Sequence, residues 1–224
     1  MNSKILPSIM CVNWLNASFD LDQICEKVEY LHWDLVDGSF APDFTMGSNI
    51  INTIRSKYQN KADFHFMVDE PSRLFTSFNF QENDRVYIQV ECSKNLHRDV
   101  VMLRSMGVSP GVALSPATPL STLDYILPEI DRVLILTVNP GYHSQPLVIQ
   151  AVSKIRRLSK LLEEQSCKHV SIVADGHVNL KTIPQMFENG ATEFVLGKSG
   201  LFKNNPSENL DATIALLTSL EDSA

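Results

Sequence analysis

The sequence has few cysteines, the residues whose disulfides stabilise small or secreted proteins. Its 224 residues include four cysteines, and no two of them form a C-x-x-C pair. They lie far apart, at Cys11, Cys25, Cys92 and Cys167. This spacing argues against a disulfide framework and against a zinc knuckle, and it fits a reducing compartment.

The chain also lacks the features of membrane proteins and nucleic-acid-binding proteins. No apolar run approaches the roughly 20 residues that a membrane span needs, and the opening residues lack the apolar stretch of a secretion signal. Lysine and arginine number 19 against 26 aspartates and glutamates, and the formal net charge is −7. Without a basic run, such a chain is a poor match for nucleic acid or an anionic membrane. We therefore predict a cytoplasmic protein that binds neither.

The sequence does contain a regular alternation of short β-branched or aromatic runs with longer amphipathic stretches. The predicted strands cover residues 5–9, 32–36, 62–68, 85–91, 110–114, 132–138, 169–174 and 193–196. The predicted helices lie near residues 20–30, 47–57, 71–79, 96–106, 121–127, 146–165, 179–189 and 207–219. An open doubly wound sheet would alternate similarly, but no G-x-G-x-x-G motif follows the first strand. The pattern favours an α/β fold, a single-domain (β/α)8 TIM barrel over residues 1–224.

Polar residues stand where a barrel would place its chemistry, at the carboxyl ends of the strands. His32 and Asp34 are two residues apart, so a strand points both side chains to the same side. His65 stands in a mostly apolar strand, and Asp175 ends the seventh strand. Taken singly, such a histidine is more often a core residue and such an aspartate a loop cap. Together, two imidazoles and two carboxylates would suit Zn²⁺, Mn²⁺, Fe²⁺ or Co²⁺.

A series of motifs matches one known enzyme family in the same order along the chain. They are LPSI at residues 6–9, HWDLVDG at 32–38, HFMV at 65–68, GVALSPATPL at 111–120, TVNPG at 137–141 and DG at 175–176. On these motifs, the sequence resembles the ribulose-phosphate 3-epimerase family from end to end. Short matches at residues 7–11 and 199–202 look more like the branch of that family acting on allulose 6-phosphate.

The resemblance implies four ligands of one divalent metal ion (Zn, Fe, Mn or Co), namely His32, Asp34, His65 and Asp175. Asp34 and Asp175 would also be the catalytic acid and base. Epimerisation beside a ketone removes a proton from one face and returns one to the other, so each face needs its own carboxylate. The metal would stabilise the cis-enediolate intermediate. Ser8 would hydrogen-bond the substrate, His65 would lie beside it, and Met67 would cover its apolar side, although a plain core methionine is an almost equal interpretation.

The phosphate end is where the sequence departs from the family. Family members bind phosphate with glycine-rich turns after strands 6, 7 and 8, through backbone N–H groups. The corresponding candidate substrate-binding residues here are Gly141, Tyr142, His143, Ser144, Gly176, His177, Lys198 and Ser199. Glycines of the family pattern are replaced by His143, Ser144 and His177. Either His143, His177 and Lys198 rebuild the anion site with side-chain donors, or these side chains fill the pocket and exclude phosphate.

Other positions differ as well. Val36 and Leu136 stand where the family usually has methionines around the metal, Gln89 replaces a histidine on strand 4, and Asp43 replaces an asparagine. Each change could reflect drift, a different sugar or decay. The retained set of histidines and aspartates argues against decay, because crowded polar groups repel one another unless something binds them.

The resulting expectation is an isomerase of the pentose phosphate pathway that interconverts ribulose 5-phosphate and xylulose 5-phosphate in a metal-dependent reaction. An allulose-6-phosphate 3-epimerase is the near alternative. A catalytically silent paralogue that binds a sugar phosphate is an alternative of another class. The resemblance further implies a homo-oligomer, either a dimer or a hexamer.

Overall fold

Eight parallel strands form the centre of the molecule. The structure is a computed structural model, and it describes residues 2, 4–141 and 145–223. The strands are β1 (Ile5–Pro7), β2 (Tyr30–Val36), β3 (Lys61–Met67), β4 (Arg85–Gln89), β5 (Ser109–Leu114), β6 (Arg132–Leu136), β7 (Ser171–Asp175) and β8 (Glu193–Leu196). β1, β4 and β6 each end two residues before the predicted boundary.

The strands follow one another around a barrel. Each strand from β2 to β8 pairs in parallel with its neighbour in sequence, and β8 pairs with β1. The remaining seam, between β1 and β2, is bridged by Ser8 with His32 and by Asn2 with Val28. The predicted (β/α)8 barrel is therefore confirmed, and an open doubly wound sheet is excluded.

The second strand shows why these sequences form a barrel. All seven residues of β2 are buried, because one face of the strand looks into the barrel and the other meets the helices. Trp33 and Leu35 belong to the large apolar core between strands and helices. Tyr30 faces inward and belongs to a smaller cluster inside the barrel. His32 and Asp34, on the same face as Tyr30, are therefore directed into the barrel.

Six α-helices surround the strands in the part of the chain that the structure describes. They are α1 (Ala17–Ile24), α2 (Ser48–Lys57), α3 (Leu96–Ser105), α4 (Ile149–Glu164), α5 (Ile183–Glu188) and α6 (Pro206–Asp222). Among the described residues, no helix is both long and apolar enough to cross a membrane.

The helices predicted near residues 71–79 and 121–127 are wrong. Short 3₁₀ turns take their places, at Pro71–Arg73 and Phe75–Ser77 and at Leu120–Leu123 and Leu127–Glu129. In the first segment, Phe75 and Phe78 pack edge-on against Phe66, with ring centroids 5.4 and 5.2 Å apart. In the second, Pro128 has no backbone N–H to donate to the residue four positions earlier, so an α-helix cannot continue through it.

Candidate metal and proton-transfer site

Three strands supply the predicted quartet of histidines and aspartates. His32 and Asp34 lie on β2, His65 lies on β3, and Asp175 ends β7. The register of the sheet places Asp34 directly beside His65. Because all three strands run in the same direction, the four side chains meet at the carboxyl end of the barrel.

The four side chains offer their ligand atoms to one point. One such atom from each residue lies within 4.8 Å of all the others. His32 Nε2 is 3.1 Å from Asp34 Oδ1 and 3.8 Å from Asp175 Oδ2. His65 Nδ1 is 3.4 Å from Asp34 Oδ1 and 3.7 Å from Asp175 Oδ2. Both histidines are fully buried, whereas the side chain of Asp175 is 14% exposed and faces the mouth.

This geometry fits a divalent cation. His65 Nδ1 is buried and has no hydrogen-bond partner among the described residues, although it faces two carboxylates at ion-pair distance. A buried polar atom without a partner is costly unless something satisfies it. Two imidazole nitrogens and two carboxylate oxygens are a ligand set that suits several first-row metal ions, so the identity of the ion stays open.

Two further residues hold the histidine rings from behind. His32 Nδ1 donates to Asp63 Oδ2 at 2.6 Å, and His65 Nε2 donates to Gln89 Oε1 at 2.8 Å. Each bond occupies the nitrogen that points away from the cluster and leaves the other nitrogen to bind a cation. The sequence analysis missed Asp63. Its position two residues before His65, on the same face of β3, was the available signal.

The two aspartates differ in their electrostatic surroundings. Burial alone would raise the pKa of Asp34, but the neighbouring His32 and His65 hold it well below its usual range. Burial raises the pKa of Asp175, and the negative charge of Asp34 raises it further against the opposing effect of His65. The chain's own electrostatics therefore make Asp175 the stronger proton acceptor of the two and keep Asp34 ionised.

The neighbouring carboxylates Asp175 and Asp34 also change the pKa of His65. Burial alone would lower its pKa, but its interactions with Asp175 and Asp34 raise that pKa to about 9. A bound cation would replace the proton on His65 Nδ1, because only the unprotonated nitrogen can be a ligand.

A pocket opens above the cluster. It is lined by Ser8, Val36, Met67 and Leu136 on the side of the barrel, together with residues of the turns after β6, β7 and β8. Ser8 Oγ donates to Asp34 Oδ2 at 2.6 Å, so this hydroxyl already orients the carboxylate. The predicted contact of Ser8 with a substrate stays a prediction.

The turns after β6 and β7 contain residues with positive φ values. Gly141 and Gly176 adopt φ values of 120° and 111°, which favour glycine. His177 adopts a left-handed φ of 53°, and its Nδ1 donates to the carbonyl oxygen of Gln145 at 2.9 Å. The side chain of His177 therefore joins the turn after β7 to the segment after β6.

Two other residues predicted to bind the phosphate of the substrate follow β8. Lys198 and Ser199 line the pocket, and Ser199 Oγ donates to the carbonyl oxygen of Val178 at 3.2 Å. The predicted residues Tyr142, His143 and Ser144 lie outside the described residues. The mouth of the barrel that holds the metal-ligand candidates is therefore also lined by several predicted substrate-binding residues. They are Gly141, Gly176, His177, Lys198 and Ser199.

A barrel that gathers imidazoles and carboxylates at the carboxyl ends of its strands defines a class of protein, the TIM-barrel enzymes. The fold is similar to that of 3-hexulose-6-phosphate synthase from Salmonella typhimurium, with a TM-score of 0.67 over 97% of this chain and 99% of that chain. The two sequences are 14% identical, so this likeness concerns the fold alone.

Sequence comparisons identify the family. The model of the ribulose-phosphate 3 epimerase family matches residues 4–202. The chain is 31% identical over 198 residues to the ribulose-phosphate 3-epimerase of Bacillus subtilis, covering 88% of this chain and 91% of that one. It is 33% identical over 200 residues to the protein of the same name from Methanocaldococcus jannaschii, covering 89% and 84%. The chain belongs to the ribulose-phosphate 3-epimerase family, which confirms the resemblance seen in its motifs and the predicted isomerase class.

Proposed function

We propose that this protein catalyses the metal-dependent 3-epimerisation of a ketose phosphate, with ribulose 5-phosphate and xylulose 5-phosphate as the leading pair. One observation carries the proposal: Asp34 and Asp175 come from different strands and converge on the same two histidines. Relatives named ribulose-phosphate 3-epimerase support the choice of substrate.

The reaction needs two proton-transfer groups rather than one. The hydrogen on C3 is acidified by the neighbouring C2 ketone, and inversion requires its loss from one face and its return to the other. Asp34 and Asp175 approach the pocket from β2 and from β7, so a sugar bound between them would present one face to each.

The opposite pKa shifts of Asp34 and Asp175 indicate which of them starts as the base and which as the acid. Asp34, whose charged form is stabilised by His32 and by the hydroxyl of Ser8, serves as the base that takes the C3 proton. Asp175, whose pKa is raised by burial, serves as the acid that returns a proton from the opposite side. In the reverse reaction the two exchange roles.

His32, Asp34, His65 and Asp175 are the residues that would hold the cation. When bound, a divalent ion supplies the positive charge that offsets the negative charge of the enediolate. Met67, Val36 and Leu136 give the pocket an apolar wall around the reacting carbons. Such a wall excludes water and strengthens the electrostatic interactions inside.

The phosphate end of the substrate would lie at the turns after β6, β7 and β8. Lys198 supplies a cationic side chain at this end of the pocket, and Gly176, which also lines it, has a φ of 111° that favours glycine. His177 offers Nε2, since its Nδ1 is already bonded to Gln145. These groups favour a rebuilt anion site over a blocked one.

Hydrogen exchange at C3 tests the proposal. The metal-supplemented protein is incubated with ribulose 5-phosphate in D₂O, and deuterium at C3 is followed together with the formation of xylulose 5-phosphate. Both should appear, and Asp34→Asn and Asp175→Asn should each abolish turnover. Asp99→Asn is the control, because Asp99 is buried, as Asp34 is, but lies on α3, outside the barrel. Turnover that survives both site substitutions would exclude the two-carboxylate mechanism.

The same assay separates the alternatives. Exchange with allulose 6-phosphate alone would identify the protein as an allulose-6-phosphate 3-epimerase. The left-handed His177, which lines the pocket where the family pattern has glycine, is the observation that favours a silent sugar-phosphate-binding protein. A silent protein would bind one of these ketose phosphates without any exchange at C3.

A further inference from the structure

A set of buried charges lies inside the barrel, away from the pocket. Asp63 on β3, Arg85 on β4 and Glu193 on β8 are all directed inward, and each is at most 6% exposed. Asp63 is level with His32 in the sheet, and Arg85 and Glu193 are the first residues of their strands. The proton transfers proposed above use none of them, although burying three charged side chains in one barrel is costly.

These charges form a connected chain of contacts that reaches the candidate metal ligands. Arg85 Nη1 lies 2.6 Å from Glu193 Oε2 and 3.8 Å from Asp63 Oδ1. The Arg85 guanidinium also stacks on the ring of Tyr30, 3.5 Å from its centroid. Asp63 Oδ2 in turn accepts the hydrogen bond from His32 Nδ1 at 2.6 Å. Arg85 is therefore held between Glu193 and Tyr30 while it faces Asp63.

A second arginine brings these buried charges into balance. Arg132 Nε lies 3.4 Å from Glu193 Oε1, so two arginines face Asp63 and Glu193. Asp63 Oδ1 has no hydrogen-bond partner within the described chain, which leaves the ion pair with Arg85 and the bond to His32 as its main stabilising interactions. Loss of Arg85 would remove one of the two groups that hold the Asp63 carboxylate in place.

A carboxylate at this position controls which nitrogen of His32 carries a proton. A carboxylate only accepts hydrogen bonds, so His32 Nδ1 must donate to Asp63. In the metal-free chain Nε2 also faces a carboxylate, Asp34 Oδ1 at 3.1 Å, and Nε2 is the nitrogen that would give up its proton to a cation. We propose that Asp63 is the positioning residue for His32, and that the buried Arg85–Glu193 pair holds Asp63 against the ring, so that metal affinity depends on charges deep inside the barrel. This inference rests on the metal site of the proposed function.

The experiment measures Co²⁺ binding by titration calorimetry and by the visible absorption of the bound ion, without any substrate. Asp63→Asn should raise the dissociation constant by about 10- to 100-fold and change the absorption spectrum. The double variant Arg85→Met/Glu193→Gln removes both charges of the supporting pair together. It should weaken binding in the same direction but by less.

Asp84→Asn is the matched control for a general loss of stability. Asp84 is fully buried and its carboxylate is paired with Arg55 of α2 at 2.8 Å, so it lies outside the barrel interior. This variant should bind Co²⁺ as the unmodified protein does, even though its melting temperature falls. An equal loss of Co²⁺ affinity in Asp84→Asn would overturn the inference, because the effect would then follow from stability alone.

A measurement on the unmodified protein covers the case in which Asp63→Asn does not fold. Long-range ¹H–¹⁵N NMR of the zinc-loaded protein should find the proton of His32 on Nδ1 and the metal on Nε2. The opposite tautomer would overturn the inference, and so would folded variants whose affinity stays within about twofold of the unmodified protein. An unmodified protein that binds no metal would instead remove the metal site itself, and the inference with it.

Discussion

At the residue scale, Lys198 gives the pocket a cationic side chain. It lies on the turn after β8 and lines the pocket together with His177 and Gly176. A lysine at this position adds a positive charge to a turn where a backbone N–H would otherwise serve an anion alone. The residue therefore bears on whether the protein still recognises a phosphate.

Replacing Lys198 tests that role directly. Lys198→Thr should lower kcat/KM for the phosphorylated ketose about 10- to 150-fold, the equivalent of losing a charged hydrogen bond worth roughly 1.5–3 kcal/mol. The loss should fall on KM, and metal affinity should change little. Lys203→Thr is the control, because Lys203 is exposed and does not line the pocket. Unchanged or improved kinetics in Lys198→Thr would mean that the anion site has not been rebuilt around this side chain.

At the element scale, the strands were easier to predict than the connections between them. Strands such as β2 alternate between residues that face the barrel interior and residues that face the helices, and this local pattern survives folding. The segments at residues 71–79 and 121–127 have helix-like patterns, but packing of Phe75 against Phe66 and the restriction imposed by Pro128 decided their conformation. The contact of Phe75 with Phe66 is not visible in a single sequence, whereas Pro128 is a local signal that the predicted helix did not take into account.

The same limit applies to predicting the residues of the site from the sequence. The quartet could be predicted because each member lies near a strand end and belongs to a recognisable motif. Asp63 was harder to predict: its position two residues before His65 was a signal, but its partners come from neighbouring strands, His32 from β2 and Arg85 from β4. The charge of Glu193 is likewise meaningful only after β8 has been placed across the barrel from β4.

The tight packing inside the barrel gives a prediction about β5. Gly111 lies beside Tyr87, and a Cβ added to it would lie 2.7 Å from Tyr87 Cδ1 and 3.1 Å from the carbonyl oxygen of Arg132. Tyr87 is fully buried, so its ring has no free space to move into. Gly111→Ala should therefore lower the free energy of unfolding by about 1–3 kcal/mol, measured by denaturant titration.

The control for this effect is a glycine with open surroundings. A Cβ added to Gly47 would have no other heavy atom within 4 Å, and the φ of Gly47 is negative, so Gly47→Ala should change stability much less. A Gly111→Ala variant as stable as the unmodified protein would show that Tyr87 can shift. In that case the ring does not fix the interior of the barrel beneath His32 and His65.

At the scale of the whole molecule, the acidic mouth of the barrel should make stability depend on pH and on metal together. His65 has a pKa of about 9 in the folded, metal-free chain against 6.5 for an ordinary histidine. Because the folded-state value is raised, the associated stability is fully present below pH 6.5 and is lost as the pH rises through about 9. A bound metal ion displaces the proton from His65, so this part of the pH dependence should vanish in the loaded protein.

The contribution expected from His65 is a fall in the free energy of unfolding of the metal-free protein by up to about 3 kcal/mol between pH 6.5 and pH 9. Denaturant titrations in a chelator and in excess Zn²⁺ measure the slope, and metal-free His65→Asn should lose the share that His65 contributes. His32 should keep its own share, because Asp34 and Asp63 raise its pKa well above the usual range against the effect of burial. Burial raises the pKa of Cys11 to about 11 and those of Cys25 and Cys92 to about 12, against 9.0 for an ordinary cysteine. These thiols lower the stability only as the pH approaches 9, where they ionise in the unfolded chain, so the slope below about pH 8 reports on the histidines. A metal-free protein whose stability is flat or rises over this interval would mean that His65 holds no extra proton. The negative charge of Asp34 and Asp175 would then have to be balanced in another way.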